Sequence, residues 1–437
     1  MSGSERQRLV IDVLEDAFAD LMAADPRAFR VKFRKMAADP FAFYRGSACL
    51  FYADVTGMDD PWADERTGAV WIHGDLHVEN FGTYMNSDGR LVFDINDFDE
   101  AYVGHFSWDL RRFAASLALL GWQKALPEQA VRDLVADYLH AYVDQVRHYV
   151  DEKGDTDFAL HLDNTEGPVH ALLVRAREKS RAAMLDAMTE RRNHVRMFGE
   201  EGGGRPLEED ERRAVLRAYE QYVDSIPATK RFDRSLFYEV RDVVGRTGFG
   251  IGSAGLPAYN LLLEGYSQSL DNDVVLSMKQ ANVPAVSRFV DAERVDRYFE
   301  NQGHRTAVSQ RALQVHADPL LGHTTLDGTG YVVSEISPYE TDLDWSEVNE
   351  PDEVAQVVGL LGRATAKAHC ASDADSEQDL VGFQTEEAIA GVLGGREDEL
   401  TEDITGFALA YAARVREDHA LFVDAFREGR IGGVSAA

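Results

Sequence analysis

An α+β fold of two lobes, a large and mostly helical one and a small antiparallel β one, is what the sequence predicts, on three observations. Apolar residues recur at helical spacing in long stretches near both ends of the chain. Residues 239 to 283 change character and read as strand, glycine turn, strand, hairpin and strand. Between residues 69 and 101, two short apolar strands enclose a polar loop and an Asn-Ser-Asp-Gly turn at 86–89. At roughly 150 residues per domain, a chain of 437 residues makes two or three domains or one two-lobed unit. Its 45% hydrophobic share is that of an ordinary folded protein.

Taken in order, residues 1 to 40 read as helix with a break at Asp39-Pro40, because proline disfavours helix in the residue before it. The segment FAFYRGSACLFYADV (41–55) is apolar with one embedded cation, Arg45. Such an arginine is paired, snorkels, or faces a phosphate or substrate. AVWIHGDLHVENFGTY runs from strand into polar loop, and RLVFDIND is the second strand. SWDLRRFAASLALLGWQ opens a helix, and helices continue to about residue 195. GEEGGGRP (199–206) is a Gly-rich surface loop, followed by the charged helix LEEDERRAVLRAYEQYVDSI. Ser287 to about Gln314 reads as helix, TTLDGTGYVVSEI (324–336) as a Gly-turned hairpin, and 350–427 as mostly helix.

With 45 Lys plus Arg against 76 Asp plus Glu, the formal net charge is −31. A surface this acidic repels phosphate backbones and anionic lipids, which argues against nucleic-acid and membrane-surface partners and suits a cationic small molecule better. Cys49 and Cys370 are too few for a disulfide framework and read as buried thiols of a reducing compartment. The N-terminus lacks the apolar core of a signal peptide. The most apolar run, FAASLALLGW (113–122), is about half of what a membrane span needs. A cytoplasmic location is expected.

HGDLHVEN is the most informative string. Asp75 stands five residues before Asn80, and Asp97, opening DFDEA, follows seventeen residues later. Phosphoryl transfer needs a carboxylate to accept the attacking hydroxyl's proton, and an amide and a second carboxylate to hold magnesium against the phosphates. A strand–turn–strand hairpin can return Asp97 to the loop, so the spacing fits Asp75 as base with Asn80 and Asp97 as hard oxygen ligands for Mg2+. Each residue alone also fits a turn or a helix cap, and His73 and His77 fit either structural support or metal ligation.

HGDLHVEN followed by DFDEA resembles the catalytic and metal-binding segments of aminoglycoside and choline-type phosphotransferases, which have a protein-kinase-like fold. Those enzymes carry an Asp-Leu about a dozen residues after the metal aspartate, and here Asp97 precedes Asp109-Leu110 by twelve. The resemblance thereby selects Asp97 over Asp94 and Asp99 and implies that Asp109 braces the catalytic loop.

Gly250-Ile251-Gly252-Ser253-Ala254-Gly255 is a GxGxxG lying between two strand-like segments. A dinucleotide fold would need a helix directly after it. A glycine hairpin over phosphates instead predicts a Lys on the next strand, and VVLSMKQA supplies Lys279, one of only eight Lys in the chain. Ser253 joins the three glycines as a nucleotide contact. This order, with glycine loop and Lys after the catalytic loop, is that of a kinase-like fold circularly permuted, with its small-lobe strands supplied late in the chain. FAFYRG, HGDLHVENFG, FDINDFDEA with WDLRR, GxGSxG, the strand Lys and a late AKAH (366–369), in that order, resemble an uncharacterised prokaryotic family, domain of unknown function 2252, over roughly residues 30 to 375. Kinases pair the strand Lys with a helix Glu; Glu293 and Glu300 are on offer. Where the family tends to carry a Glu before Gln-Arg, this chain has Val308 and Ser309, leaving Gln310 or Arg311 as substitutes.

The expected organisation is a helical large-lobe region at 1–240 with the catalytic loop at 73–80 and the metal-binding segment at 94–101. A small β lobe follows at 241–345, then C-terminal helices at 346–437 that pack on the large lobe. The expected activity is ATP- and Mg2+-dependent phosphoryl transfer to a hydroxyl, with the acceptor pocket built by helices between about 110 and 240. The acceptor is expected to be a small molecule, with a protein substrate left open. The alternatives are a weakly active pseudokinase or nucleotide-binding regulator, a nucleotidyltransferase, or a metallohydrolase built on the HxDxH of His73, Asp75 and His77.

Overall fold

Asp-Pro pairs start two of the first helices. The Asp25 carboxylate accepts the N–H groups of Arg27 (3.1 Å) and Ala28 (2.9 Å), and Asp39 accepts those of Phe41 (2.8 Å) and Ala42 (2.9 Å), each with proline as first helical residue. The stretch read as one helix is therefore α1 (Gly3–Ala24) and α2 (Pro26–Met36), with α3 (Pro40–Gly46) and α4 (Ala48–Val55) covering the apolar segment after it. The computed structural model describes residues 2–152, 154–199, 204–231, 237–246, 255–290, 293–374, 376, 379–434 and 436.

Four short strands come next. β1 (Val70–Ile72) pairs antiparallel with β4 (Tyr102–Gly104), and between them β2 (Phe81–Met85) and β3 (Leu91–Ile95) form a hairpin. The turn at 86–89 closes it: Asn86 accepts from the N–H groups of Asp88 (3.1 Å) and Arg90 (2.8 Å), and Gly89 takes a φ of +73°. Helices α5 (Phe106–Gln123), α6 (Glu128–Glu152), α7 (Gly167–Arg177) and α8 (Arg181–Met188) follow. The predicted run of helices to about 195 ends earlier, in the hairpin of β5 (Thr189–Arg192) and β6 (Val195–Phe198). Asn193 and His194, both left-handed at φ +51° and +67°, make its two-residue turn, which the arginine-rich sequence around it disguises as helix.

β7 (Gly204–Arg205), α9 (Glu209–Ser225), β8 (Val240–Arg246), β9 (Ala258–Leu263) and β10 (Val274–Gln280) lead into α10 (Glu293–Tyr298) and α11 (Gln302–Gln314), then β11 (Gly322–Leu326), β12 (Thr329–Glu335) and β13 (Thr341–Asp342). The helix expected from Ser287 to Gln314 is thus interrupted; Asn301 stops it and caps α11, accepting the His304 N–H at 3.0 Å. Six strands form one antiparallel sheet in the order β11-β12-β10-β9-β8-β7. Val215, Tyr219 and Tyr222 of α9 are buried in one core with Leu261, Leu276 and Val333 of this sheet. Residues 209–225, assigned from sequence to the helical region, therefore pack with the β lobe.

The chain ends in α12 (Pro351–Cys370), α13 (Thr385–Leu393) and α14 (Glu397–Arg427). These share a large core with α1 to α6, including Phe33, Tyr44, Trp71, Phe113, Tyr138, Leu361 and Phe422. Arg6 fastens the first helix to the last, lying 2.6 Å from both Asp54 and Asp418. β13 adds to the edge of the β2–β3 hairpin, Thr341 opposite Thr83, so the segment leaving the large sheet is built into the hairpin that follows HGDLHVEN. Cys49 and Cys370 are free and buried.

Candidate active site

The HGDLHVEN loop is held by its backbone. Asp109, on the first turn of α5 and wholly buried, accepts the N–H groups of His73 (2.6 Å) and Gly74 (3.0 Å) and meets His369 Nε2 of α12 at 3.2 Å. Burial alone would raise the Asp109 carboxyl, but these bonds and the neighbouring histidines hold it below its ordinary value. Gly74 has φ +80°, and a Cβ there would stand 2.1 Å from the Glu100 carbonyl oxygen, so only glycine fits. His73 donates from Nε2 to the Asn96 carbonyl (2.8 Å) and accepts the Asp75 N–H at Nδ1 (3.3 Å). Asn80 donates its amide N–H to the Asp75 carbonyl at 2.9 Å.

The Asp75 side chain is gripped by Arg112, whose Nε lies 2.7 Å from Oδ1 and whose Nη2 bonds the same oxygen. The guanidinium stacks over Tyr44, 4.4 Å from the ring centroid, and is fully buried. Asp75 Oδ2 is left facing His77 Nε2 at 4.0 Å. Burial, then the charges of Arg45 and Arg112, pushes the His77 ring well below its ordinary value, so it is neutral at pH 7. Both ring nitrogens of His73 serve the loop, and His77 Nδ1 accepts the Glu79 N–H at 3.3 Å. Among the described residues no group of three or more His, Cys, Asp or Glu side chains is arranged to hold a metal ion.

Asp97 adopts a left-handed φ of +59° at the junction of two cavities. Burial first, then the charges of Asp99 and Asp75, pushes its carboxyl upward. Lys279 of β10 reaches this segment across the cleft between sheet and helical body and bonds Asp99. Burial works against the Lys279 ammonium, but Asp99 and Asp97 hold it above its ordinary value. Its partner is thus an aspartate of the DFDEA segment. Among the described residues no helix carboxylate, and neither Gln310 nor Arg311, pairs with it; Gln310 lines the cavity and bonds Gln314 at 3.1 Å. The Glu293 side chain lies outside the described residues. Arg305 of α11 secures the same segment, donating to the carbonyls of Ala101 (2.6 Å), Asp99 (2.8 Å) and Asn282 (2.9 Å).

The larger cavity, about 350 Å3, lies between the sheet and the β2–β3 hairpin and is lined by Lys279, Ser277, Val332, Thr83, Asp97 and Asp99. The smaller, on the Asp75 side, is lined by α1 to α4 and residues 282–288, through Phe18, Lys32, Arg45, Glu100 and Arg288. Helices between 110 and 240 contribute no lining residue to either. Arg45 pairs with Glu79 on the rim of the smaller cavity. Gly250, Gly252 and Ser253 lie outside the described residues. Gly255, at φ +79°, is close to the start of α2, where an added Cβ would sit 3.5 Å from that of Asp25.

The charged residues that sequence reasoning missed are Arg112, Asp99 as the Lys279 partner, Lys32 and Lys367. Lys367, in the AKAH run, bonds the buried Asp94 carboxylate and donates to the Leu313 carbonyl at 2.9 Å. Lys32 is 3% exposed, and its ammonium lies 4.0 Å from the centroid of Phe18. Burial lowers it to about 8. A depressed lysine costs stability in full below its folded value, and the cost fades as pH rises toward 10.5. Lys32→Met is therefore expected to stabilise the protein by roughly 3 kcal/mol at pH 7. The gain should shrink between pH 8 and 10.5, followed by urea unfolding across that range; a pH-independent gain would show that the ammonium is not what costs.

Fold and site together define a mixed α+β protein in which buried carboxylates and cations meet between a helical body and an antiparallel sheet. The chain belongs to the family described as "Uncharacterized protein conserved in bacteria (DUF2252)", whose pattern matches residues 24–425. No curated protein and no solved structure matches it. Among the described residues no helix is long and apolar enough to cross a membrane.

Proposed function

We propose that this protein is a phosphotransferase of circularly permuted, protein-kinase-like fold, moving a phosphoryl group from ATP to the hydroxyl of a small molecule. The observation that carries the reading is the meeting of Asp75, Asp97 and Lys279 around two adjoining cavities, with Lys279 reaching across 180 residues of chain to the DFDEA segment. The sheet order adds support. The strands flanking the GxGxxG segment, β8 and β9, are followed directly by the Lys strand β10, the sequence of parts that a kinase small lobe uses over its phosphates.

Magnesium fits the donor set. Asp97, Asn80 and nearby Asp99 offer hard oxygens, and the Asp97 carboxyl faces both cavities with the charges of Asp99 and Asp75 pushing it upward. One or two protein ligands suffice, since this ion takes its remaining ligands from phosphates and water. When bound, it supplies charge neutralisation at the transferring phosphoryl group. In this reading Asn80 and Asp97 hold it, and Lys279 exchanges Asp99 for phosphate oxygens. Asp75 Oδ2 takes the acceptor's proton while Arg112 fixes the carboxylate through Oδ1. Gly250, Gly252, Ser253 and Gly255 would cover the phosphates.

Titration with ATP and magnesium while following the melting temperature tests this. Ligand binding to the native state stabilises by about 2.7 kcal/mol at a hundredfold excess over the dissociation constant. A shift is expected for the wild type and weakened in both Lys279→Ala and Asp97→Ala, with Lys230→Ala as an unaffected control. No shift at millimolar ATP would sink the nucleotide site. The pairing of Lys279 with an aspartate rather than a helix glutamate favours a second reading, a nucleotide-binding regulator; a normal shift without ADP formation on any acceptor would select it.

A further inference from the structure

Two nitrogens on the smaller cavity have no hydrogen-bond partner among the described residues. Among the described residues Lys32 Nζ makes no hydrogen bond or ion pair, and its neighbours are the rings of Phe18 (4.0 Å) and Phe29 (5.5 Å). Arg45 Nε, buried on the same cavity, also lacks one. Of the carboxylates that line it, Asp75 pairs with Arg112, Asp99 with Lys279, and Glu100 with Asn282 (3.0 Å) and the Ala285 N–H, while Asp97 is the one that the phosphotransferase reading gives to magnesium. Arg288 is spent on the Ala17 carbonyl at 3.0 Å. Glu100 and Asp75 act on this ammonium only through space, and an enclosed ammonium with no counter-charge bonded to it is costly unless a ligand supplies one.

We infer that the smaller cavity binds the acceptor through an anionic group held by Lys32 and Arg45, so that the substrate is a short hydroxy acid or hydroxyalkyl phosphate. This rests on the phosphotransferase reading, and it runs against the cationic acceptor that the overall charge suggests. Asp75 lines the same cavity, so an anion at Lys32 leaves the hydroxyl of a short molecule facing the Asp75 carboxylate. The cavity offers about 40 Å3 to water-sized groups, room for roughly three of them. That suits the anionic end of a small molecule and not a sugar ring. Three hydrogen atoms on the ammonium and one on Arg45 Nε match the oxygens of a carboxylate or phosphate.

The test is calorimetric titration of the full chain with glycerate, glycerol 3-phosphate and uncharged glycerol, in wild type, Lys32→Met and Lys32→Arg, each also given ATP and magnesium. At least one anion is expected to bind about tenfold or more tightly than glycerol, the worth of a charge-assisted hydrogen bond. Lys32→Met should bring it to the glycerol level, and Lys32→Arg should restore part of the difference. The tighter of the two anions distinguishes carboxylate from phosphate. Equal binding of glycerol, wild-type affinity in Lys32→Met, or no binding of either anion would overturn the inference. Anion binding through Lys32 without any response to ATP would support it and sink the phosphotransferase reading; the reverse would overturn the inference alone.

Discussion

Asp75→Asn is expected to lower the phosphoryl transfer proposed for this site by about 10^2- to 10^4-fold, the usual worth of a positioned general base. The asparagine keeps an oxygen for the buried Arg112, which bonds Asp75 through two nitrogens, so the loop keeps its shape and the cation keeps an acceptor. The melting shift given by ATP and magnesium should persist, because Lys279 and Asp97 are untouched. Asp75→Ala would lose activity too, but it would also strand Arg112, which stacks on Tyr44 and is 0% exposed. A loss of activity in the alanine variant alone would therefore report collapse of the loop rather than loss of a base. Turnover by Asp75→Asn within threefold of wild type would end the assignment, since about 0.65 kcal/mol is too little for a proton acceptor.

Asp109→Ala is expected to destabilise the protein by roughly 3–5 kcal/mol, the cost of leaving several buried donors without their acceptor. Three groups lose their acceptor at once: the N–H groups of His73 and Gly74, and Nε2 of His369. Urea unfolding measures it, and a loss under about 1 kcal/mol would show that water replaces the carboxylate. The pH dependence follows from the depressed folded value of Asp109. Its stabilisation is present above the ordinary value of 3.8 and is lost as pH falls through the lower folded one. The wild type should therefore lose its advantage over Asp109→Ala only in strong acid.

What the sequence made legible was local. The strands flanking HGDLHVEN, the 86–89 turn and the β8–β9–β10 succession follow from alternation and turn residues within a few positions, and each is found there. Asp75, Asn80 and Asp97 could be grouped because one hairpin separates them. Arg112 could not be, although it stands three residues after Asp109, since nothing in its neighbours says that it folds back on Asp75 instead of reaching solvent. Lys32 reads as one more cation on an amphipathic helix until α1 and residues 282–288 close over it. The 189–198 hairpin failed for the opposite reason: a helix-favouring composition was overridden by two left-handed residues, Asn193 and His194, that only the turn demands.

One turn of α12 carries both Lys367 and His369, and they bond Asp94 and Asp109, which lie 273 and 260 residues earlier in the chain. On a ribosome adding about 5 to 20 residues per second, those carboxylates emerge roughly 13 to 55 s before the groups that bond them. The nascent chain spends that interval with Asp94 and Asp109 lacking their α12 partners and its N-terminal helices lacking the last helix they pack on. Such an intermediate exposes apolar surface and is prone to aggregate until α12 docks. A chain that ends before α12 keeps Asp109 on the His73 and Gly74 N–H groups but lacks both Lys367 for the buried Asp94 and His369 for Asp109.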